Sequence, residues 1–390
     1  MTTHTASDVV YCRRRGSTGA GRRLLGGMTA GLVLVAALVV GEATAAHAAD
    51  PGQFDTAFNE HIRQSGGVDG SVNSVAVQSD GKIVVGGGFF GKAGDKRAYC
   101  IARFNANGTP DTEFNNNIGK NGGLNSGVDS VAVQSDGKIV VGGVFTKVGG
   151  KKARRIARFN ANGTLDNKFN EHIRKNGGLN WFVNSVAVQS DGRIVVGGGF
   201  TKVGGKKAHR IARFNANGTP DNKFNKHIRQ SGGVYIPSVM DGSVNSVAVQ
   251  RNGKIVVGGD FTKAGGKKAH RIARFNANGT PANKFNKHIR KNGGVGSSAV
   301  DSVAVQRNGK IVVGGAFRKV GGKKAHSIAR FNANGTPDNK FNKHIRGNGG
   351  LSQPVNSVAV QRDGKIVVGG WYDKAGGKKA YNIARLYGTT

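Results

Sequence analysis

One recurrent segment, TKVGGKKAHR and its variants, carries the residues of this chain best spaced for chemistry. Three positions in each copy are basic: Lys92, Lys96 and Arg97; Lys147, Lys151 and Lys152; Lys202, Lys206 and Lys207; Lys263, Lys267 and Lys268; Lys319, Lys323 and Lys324; Lys374, Lys378 and Lys379. A second class of segment adds Arg63, Lys120, Arg174, Arg229, Arg290 and Arg346. Clustered ammonium and guanidinium groups attract polyanions and displace their counterions. The chemistry to expect is recognition of a phosphate or carboxylate polymer, without bond-making. The whole chain carries a formal net charge of +36. Such a charge is well beyond the magnitude of about 2–8 that solubility asks of a small domain, which weighs against a merely solvated face.

Groups that could do catalysis are poorly placed for it. His61, His172, His227, His288 and His344 recur in HIR, and His209, His270 and His326 recur in AHR or AHS. A catalytic histidine is usually singular and paired with a carboxylate or nucleophile; repetition points to surface or spacer roles. No HExxH, paired-Cys metal site or G-x-S-x-G elbow occurs, so no catalytic residue, metal or cofactor is expected. Departures from the repeat are Trp181-Phe182, an insertion near Val234–Asp241, and Trp371-Tyr372-Asp373. Trp181, Trp371 and Tyr372 are candidate ligand aromatics beside the cations, with local packing as the plainer reading. Six arginines share one strand position (Arg103, Arg158, Arg213, Arg274, Arg330 and Arg385) and read as hydrogen-bond donors between repeats. Aromatics are sparse at 7%, which disfavours base stacking and sequence-specific nucleic-acid reading.

The elements that must position these residues follow from repetition. SVAVQ begins at Ser74, Ser130, Ser185, Ser246, Ser302 and Ser357, at spacings of 56, 55, 61, 56 and 55. Each copy continues into a KIVVGG-like run, then IAR, then a segment of the type DNKFN. The β-branched runs fit buried strands, and the Asp-Gly or Asn-Gly between them, as at Asp136-Gly137, predicts a two-residue hairpin turn with both residues at positive φ. IARFN supplies a third strand, and the FN segment a short fourth. Four antiparallel strands per unit make a propeller blade. The FN segment first occurs as Asp55–Asn59, ahead of the first SVAVQ, while nothing like it follows the last IAR. The expected architecture is therefore an all-β, six-bladed β-propeller of four-stranded antiparallel blades, closed by the N-terminal strand completing the last blade. Its second-to-third strand loops and blade-to-blade loops share one face, which would be basic.

The run SVAVQSDGKIVVGG, with its later IARFNANGTPD and FN, resembles the bacterial delta-60 repeat, a β-propeller repeat of uncharacterised function. The likeness spans nearly all of residues 49–390 and implies a propeller fold and secretion. It implies no catalytic residues.

Residues 1–48 read as a signal peptide: arginines up to Arg23, an apolar run from Leu24 to Val40, and Ala46-His47-Ala48 as an A-x-A cleavage site. Arg22-Arg23 leaves the Sec and twin-arginine routes both open. Without this leader, 53 basic and 20 acidic residues remain, a net +33, so the charge belongs to the folded body. Of Cys12 and Cys100, only Cys100 would stay, as an inert strand thiol with no disulfide to form.

The reading is a secreted, monomeric binding or adhesion module, recognising wall teichoic acid, an acidic polysaccharide or extracellular nucleic acid through its basic face. The alternatives are a lyase or hydrolase acting on an acidic glycan and a protein-interaction scaffold in a secreted complex.

Overall fold

The computed structural model describes residues 55–88, 91–94, 96–235, 242–296, 298–380 and 382–388. The expected leader lies outside them. The described residues form an all-β repeat propeller fold in which a main three-stranded antiparallel sheet recurs six times, alternating with short lysine hairpins, one of which gains a third strand, Val234–Tyr235. In the third sheet, Val183–Val188 pairs with Ile194–Gly198, which pairs with Ile211–Phe214. The innermost strand bulges between Val183 and Ser185, and the same irregularity recurs in the other sheets. The innermost strands of all six sheets line one cavity of about 740 Å³, walled by residues such as Val77, Val131, Ala187, Val247, Ala304 and Val358.

Two turn types serve the strands. The Asp-Gly turn is not the two-residue hairpin expected. Only its glycine is left-handed (Gly137 at φ 78°), the Gly137 N–H returns to the Gln134 carbonyl, and the Lys138 N–H bonds Asp136 Oδ1 at 3.1 Å. A longer loop ending in a left-handed glycine matches strand twist with one strained residue instead of two. At the tip of the lysine hairpin both turn residues have positive φ, as at Gly149-Gly150, at 55° and 74°.

Among the described residues no fourth strand joins these sheets; each segment expected to supply it is a nine-residue helix instead: α1 (Thr56–Gln64), α2 (Thr112–Lys120), α3 (Asn167–Lys175), α4 (Asn222–Gln230), α5 (Asn283–Lys291) and α6 (Asn339–Gly347). The residues explain it. Asp166 is an N-cap whose Oδ1 accepts from the Phe169 N–H at 3.1 Å. Phe169 and Ile173, four apart, share the buried face, and His172, Arg174 and Lys175 sit in the last turn, where cations suit the helix dipole. The third strand loses nothing by this. The Asn170 side chain accepts from the Arg158 N–H and donates to the Arg158 carbonyl, both at 2.9 Å, as a neighbouring strand would. Of a true fourth strand only single bridges remain, such as Phe159 to Leu165.

The core lies between adjacent sheets. One cluster joins Val84 and Ile101 of the first sheet, Phe114 and Ile118 of α2, and Val128, Val141, Phe145 and Phe159 of the second. Each such side chain contributes about 1.5–3 kcal/mol by leaving water. The KIVVGG glycines let sheets approach: a Cβ on Gly142 would stand 2.5 Å from Val183 Cγ1. The sixth sheet differs. Ile383 is 56% exposed, whereas Ile101, Ile156, Ile211, Ile272 and Ile328 are fully buried. The segment expected to complete the last blade is α1, a helix, and it rests on the first sheet, with His61 Nδ1 bonded to the Asn107 carbonyl at 2.7 Å. The expected N-terminal strand is thus corrected, by the same capping and i, i+4 logic that makes the other helices.

Candidate polyanion-binding surface

Each lysine segment folds into a two-residue by two-residue hairpin, such as Lys147–Val148 with Lys151–Lys152. Its one apolar residue is the anchor. Val148 is buried and bridges Leu124 in the connection running from helix to next sheet. The basic residues face out: Lys92 and Arg97 are exposed, as are Lys147, Lys151, Lys152, Lys202, Lys206, Lys207, Lys263, Lys267, Lys268, Lys319, Lys323, Lys324, Lys374, Lys378 and Lys379. Lys96 pairs with Ala93 across its hairpin.

Register puts like charges directly opposite one another: Lys92 with Arg97, Lys147 with Lys152, Lys202 with Lys207, Lys263 with Lys268, Lys319 with Lys324, and Lys374 with Lys379. Such pairs destabilise a ladder by roughly 0.2–1 kcal/mol each. Six repetitions of an unfavourable arrangement argue for a role outside folding.

Hairpins and helix-to-sheet connections come together, as the bridges Val68 to Ala93, Leu179 to Val203 and Leu351 to Ala375 show. Arg63, Lys120, Arg174, Arg229 and Arg346, expected in loops, lie in helices instead, as does Arg290. Helix formation exposes cations that reading the segment as a strand did not single out: Lys168, Lys223, Lys226, Lys284, Lys287, Lys340 and Lys343. Their signal was the 3.6-residue period of Phe and Ile in DNKFNKHIR. Between the hairpin at Lys206 and α4 lies a cleft of about 590 Å³. Arg193, Lys206, Lys223 and Arg229 line it, against one acid, Asp221.

The arginine ladder is structural. Arg158 donates from Nε to Asp166 Oδ2 at 3.0 Å and from Nη1 to the Ala216 carbonyl of the next sheet at 2.7 Å, with its guanidinium 4.2 Å from the Phe169 ring centre. Burial alone would raise the Asp166 carboxyl, but the Phe169 N–H, Arg158 and Lys138 hold it below its ordinary value. Asp166 thus serves as both helix cap and counter-ion. Likewise His172, His227 and His288 donate from Nδ1 to the Asn217, Asn278 and Asn334 carbonyls across the seams. Among the described residues, no group of three His, Cys, Asp or Glu is placed to hold a metal ion.

The aromatic candidates separate. Trp181 and Trp371 are 50% and 54% exposed; Trp181 adjoins the first strand of the third sheet, beside the Phe182 ring at 6.1 Å, and Trp371 follows the second strand of the sixth. Tyr372 is fully buried, donating its hydroxyl to the Val368 carbonyl at 2.7 Å, and burial pushes its phenol up. It replaces the core phenylalanine of the other sheets (Phe145, Phe200, Phe261, Phe317) and is not open to a ligand. Cys100 is buried, at a left-handed φ of 66° just before its strand rather than within it.

Sheets arranged about a common cavity and joined by repeated seams define a β-propeller. The chain belongs to the family described as a domain of unknown function (DUF5122) beta-propeller, matching over residues 78–114, 134–169, 189–224, 250–283, 306–341 and 361–386. Among curated proteins no sequence relative was found. Solved structures with a similar fold include the WD40 beta propeller domain of Doa1, at 15% identity and TM-score 0.46, covering 81% of this chain and 78% of that one. PorZ, a surface component of the type-IX secretion system of Porphyromonas gingivalis, aligns at 12% identity and TM-score 0.48, covering 84% of this chain and 40% of its own. The extracellular domain of BT4673 from B. thetaiotaomicron aligns at 13% identity and TM-score 0.41, with 80% of this chain and 38% of that chain covered. No helix among the described residues is long and apolar enough to cross a membrane.

Proposed function

We propose that this chain is an exported, six-bladed ring that binds an anionic polymer outside the cell through its lysine hairpins. The observation that carries the reading is the six cross-strand like-charge pairs, all on exposed hairpin positions. A bound polyanion removes their mutual repulsion, so ligand binding and hairpin stability reinforce one another. The cation-lined cleft beside α4 is of a size to accept one acidic sugar or phosphodiester unit. The ring closes when α1 seats Asp55 and Phe58 on Arg385 of the sixth sheet, as Asp111 and Phe114 seat on Arg103; this also covers Ile383.

The test is retention on wall teichoic acid, DNA and a heparin-like polysaccharide across a salt series, with the eluates checked for cleaved polymer. About 6–10 phosphate contacts predict a loss of about three to five decades in affinity between 50 and 200 mM salt. Replacing Lys151 and Lys152 by Ser is expected to weaken retention on every polymer and to reduce the salt slope by about 1–2. Weak retention, equal on all three polymers and unaltered by the substitutions, refutes the proposal; cleavage would turn the binder into an enzyme.

A further inference from the structure

Four seams share one device. Asp111, Asp166, Asp221 and Asp338 each cap a helix and each contact a buried arginine: Arg103, Arg158, Arg213 and Arg330. At α5 the aspartate is missing. Ala282 stands at the N-cap, no side chain caps the helix, and Arg274 Nε has no partner although Arg274 is only 9% exposed. Arg274 otherwise keeps the pose of its counterparts: Nη1 donates to the Ala333 carbonyl at 2.7 Å, and the guanidinium lies 4.2 Å from the Phe285 ring centre. Its Nε therefore points to the place where a carboxylate oxygen stands in the other seams. Lys254 occupies the repeat position of Lys82, Lys138 and Lys310, whose ammonium groups lie 2.9, 3.3 and 2.9 Å from the corresponding aspartates.

We propose that the N-terminus of α5 is a discrete site for a small monovalent anion, held between Arg274 Nε, the Phe285 N–H and Lys254. Replacing aspartate by alanine deletes one carboxylate, so a formate ion has the matching shape and charge, and a halide fits the same space. An ion meets a need that water does not, because the buried guanidinium lacks a counter-charge and its Nε lacks an acceptor. The way in is open: in the equivalent seams Lys82 and Lys310 reach the carboxylate with side chains 33% and 32% exposed. The site is independent of the polymer-binding hairpins.

The experiment compares thermal unfolding of the full chain and its Ala282→Asp variant in formate, with ionic strength held constant by the salt of a bulky sulfonate. At a tenfold excess over Kd the wild type is expected to gain about 2 °C more than the variant, and the variant to start higher without any formate. Asp166→Ala recreates the same gap in another seam, so its lost stability is expected to recover partly in formate. Crystals soaked in bromide should show an anomalous peak within hydrogen-bonding distance of Arg274 Nε. Equal formate responses in wild type and Ala282→Asp, or a bromide-soaked crystal with no peak at α5, overturn the proposal and leave only general screening of a cationic surface.

Discussion

Replacing Asp301 by Asn is expected to stabilise the protein increasingly as pH rises from 4 to 8. Asp301 lies at the bulge of the strand Val300–Val305, where the other repeats carry Asn73, Asp129, Asn184, Asn245 and Asn356. Burial raises its carboxyl most, the Asn245 amide at 3.2 Å opposes, and the charge of Asp260 adds to the rise, bringing the group from 3.8 to about 7. An acid whose value is raised by folding holds its proton longer in the folded state. Stability is therefore lost as pH climbs through the window from about 4 to about 7 and stays lost above it. A rise of about three units corresponds to about 4 kcal/mol at full ionisation. Asparagine avoids that cost, and its amide has a precedent for an acceptor, since Asn73 and Asn184 donate to the Val128 and Val244 carbonyls of the next strand. The expected gain is about 2–4 kcal/mol at pH 8 and near zero at pH 4. Urea unfolding of both proteins at pH 4, 6 and 8 measures the difference directly and cancels the titration of every other group. A difference that does not change with pH, or a less stable variant at pH 8, would refute the assignment of a buried, reluctant carboxylate.

Three further outcomes test the seams. Asp166→Ala leaves Arg158 buried without its counter-ion, and a loss of about 3–5 kcal/mol is expected, with Asp166→Asn losing less because the cap to Phe169 survives; a loss below about 1 kcal/mol in chemical unfolding contradicts the role. Gly142→Ala places a methyl 2.5 Å from Val183 Cγ1, so about 1–3 kcal/mol is lost as the second and third sheets are forced apart; an unchanged melting temperature would show that the sheets are not in close contact there. His209, His270 and His326 are held below their ordinary value of 6.5, first by burial and then by neighbouring cations. The unfolded chain thus takes up protons first, and stability falls as pH drops below about 6.5. The triple change to Gln should flatten melting temperature between pH 6.5 and 5, and an undiminished slope assigns that window to other groups.

Much of this molecule is legible in the residues. SVAVQ, KIVVGG and IAR name the three strands of each sheet because β-branched alternation is a local property. The lysines of KVGGKK declare themselves exposed because charge does not bury unpaired. DNKFN was harder. Five residues with one Phe fit a strand as well as a helix, and the decision rests on Ile173 and its equivalents four residues beyond Phe169, together with Asp166 as a cap that must also satisfy Arg158 in the preceding strand. That double duty is a tertiary fact. So is the place of Tyr372, which looks like a surface aromatic beside Trp371 until the core position it fills is seen. The cross-strand opposition of Lys147 and Lys152 needed the Gly149-Gly150 turn to fix the register. The gap at Ala282 has meaning only beside Arg274, because a missing carboxylate is felt by the group it would have neutralised. Sequence alone determined the repeats, their strands and the excess of positive charge, since these depend on composition and near neighbours. Tertiary structure decided which charges are paired, which aromatics are covered and where an anion is wanted, since these depend on contacts between residues some 55 positions apart, one repeat to the next.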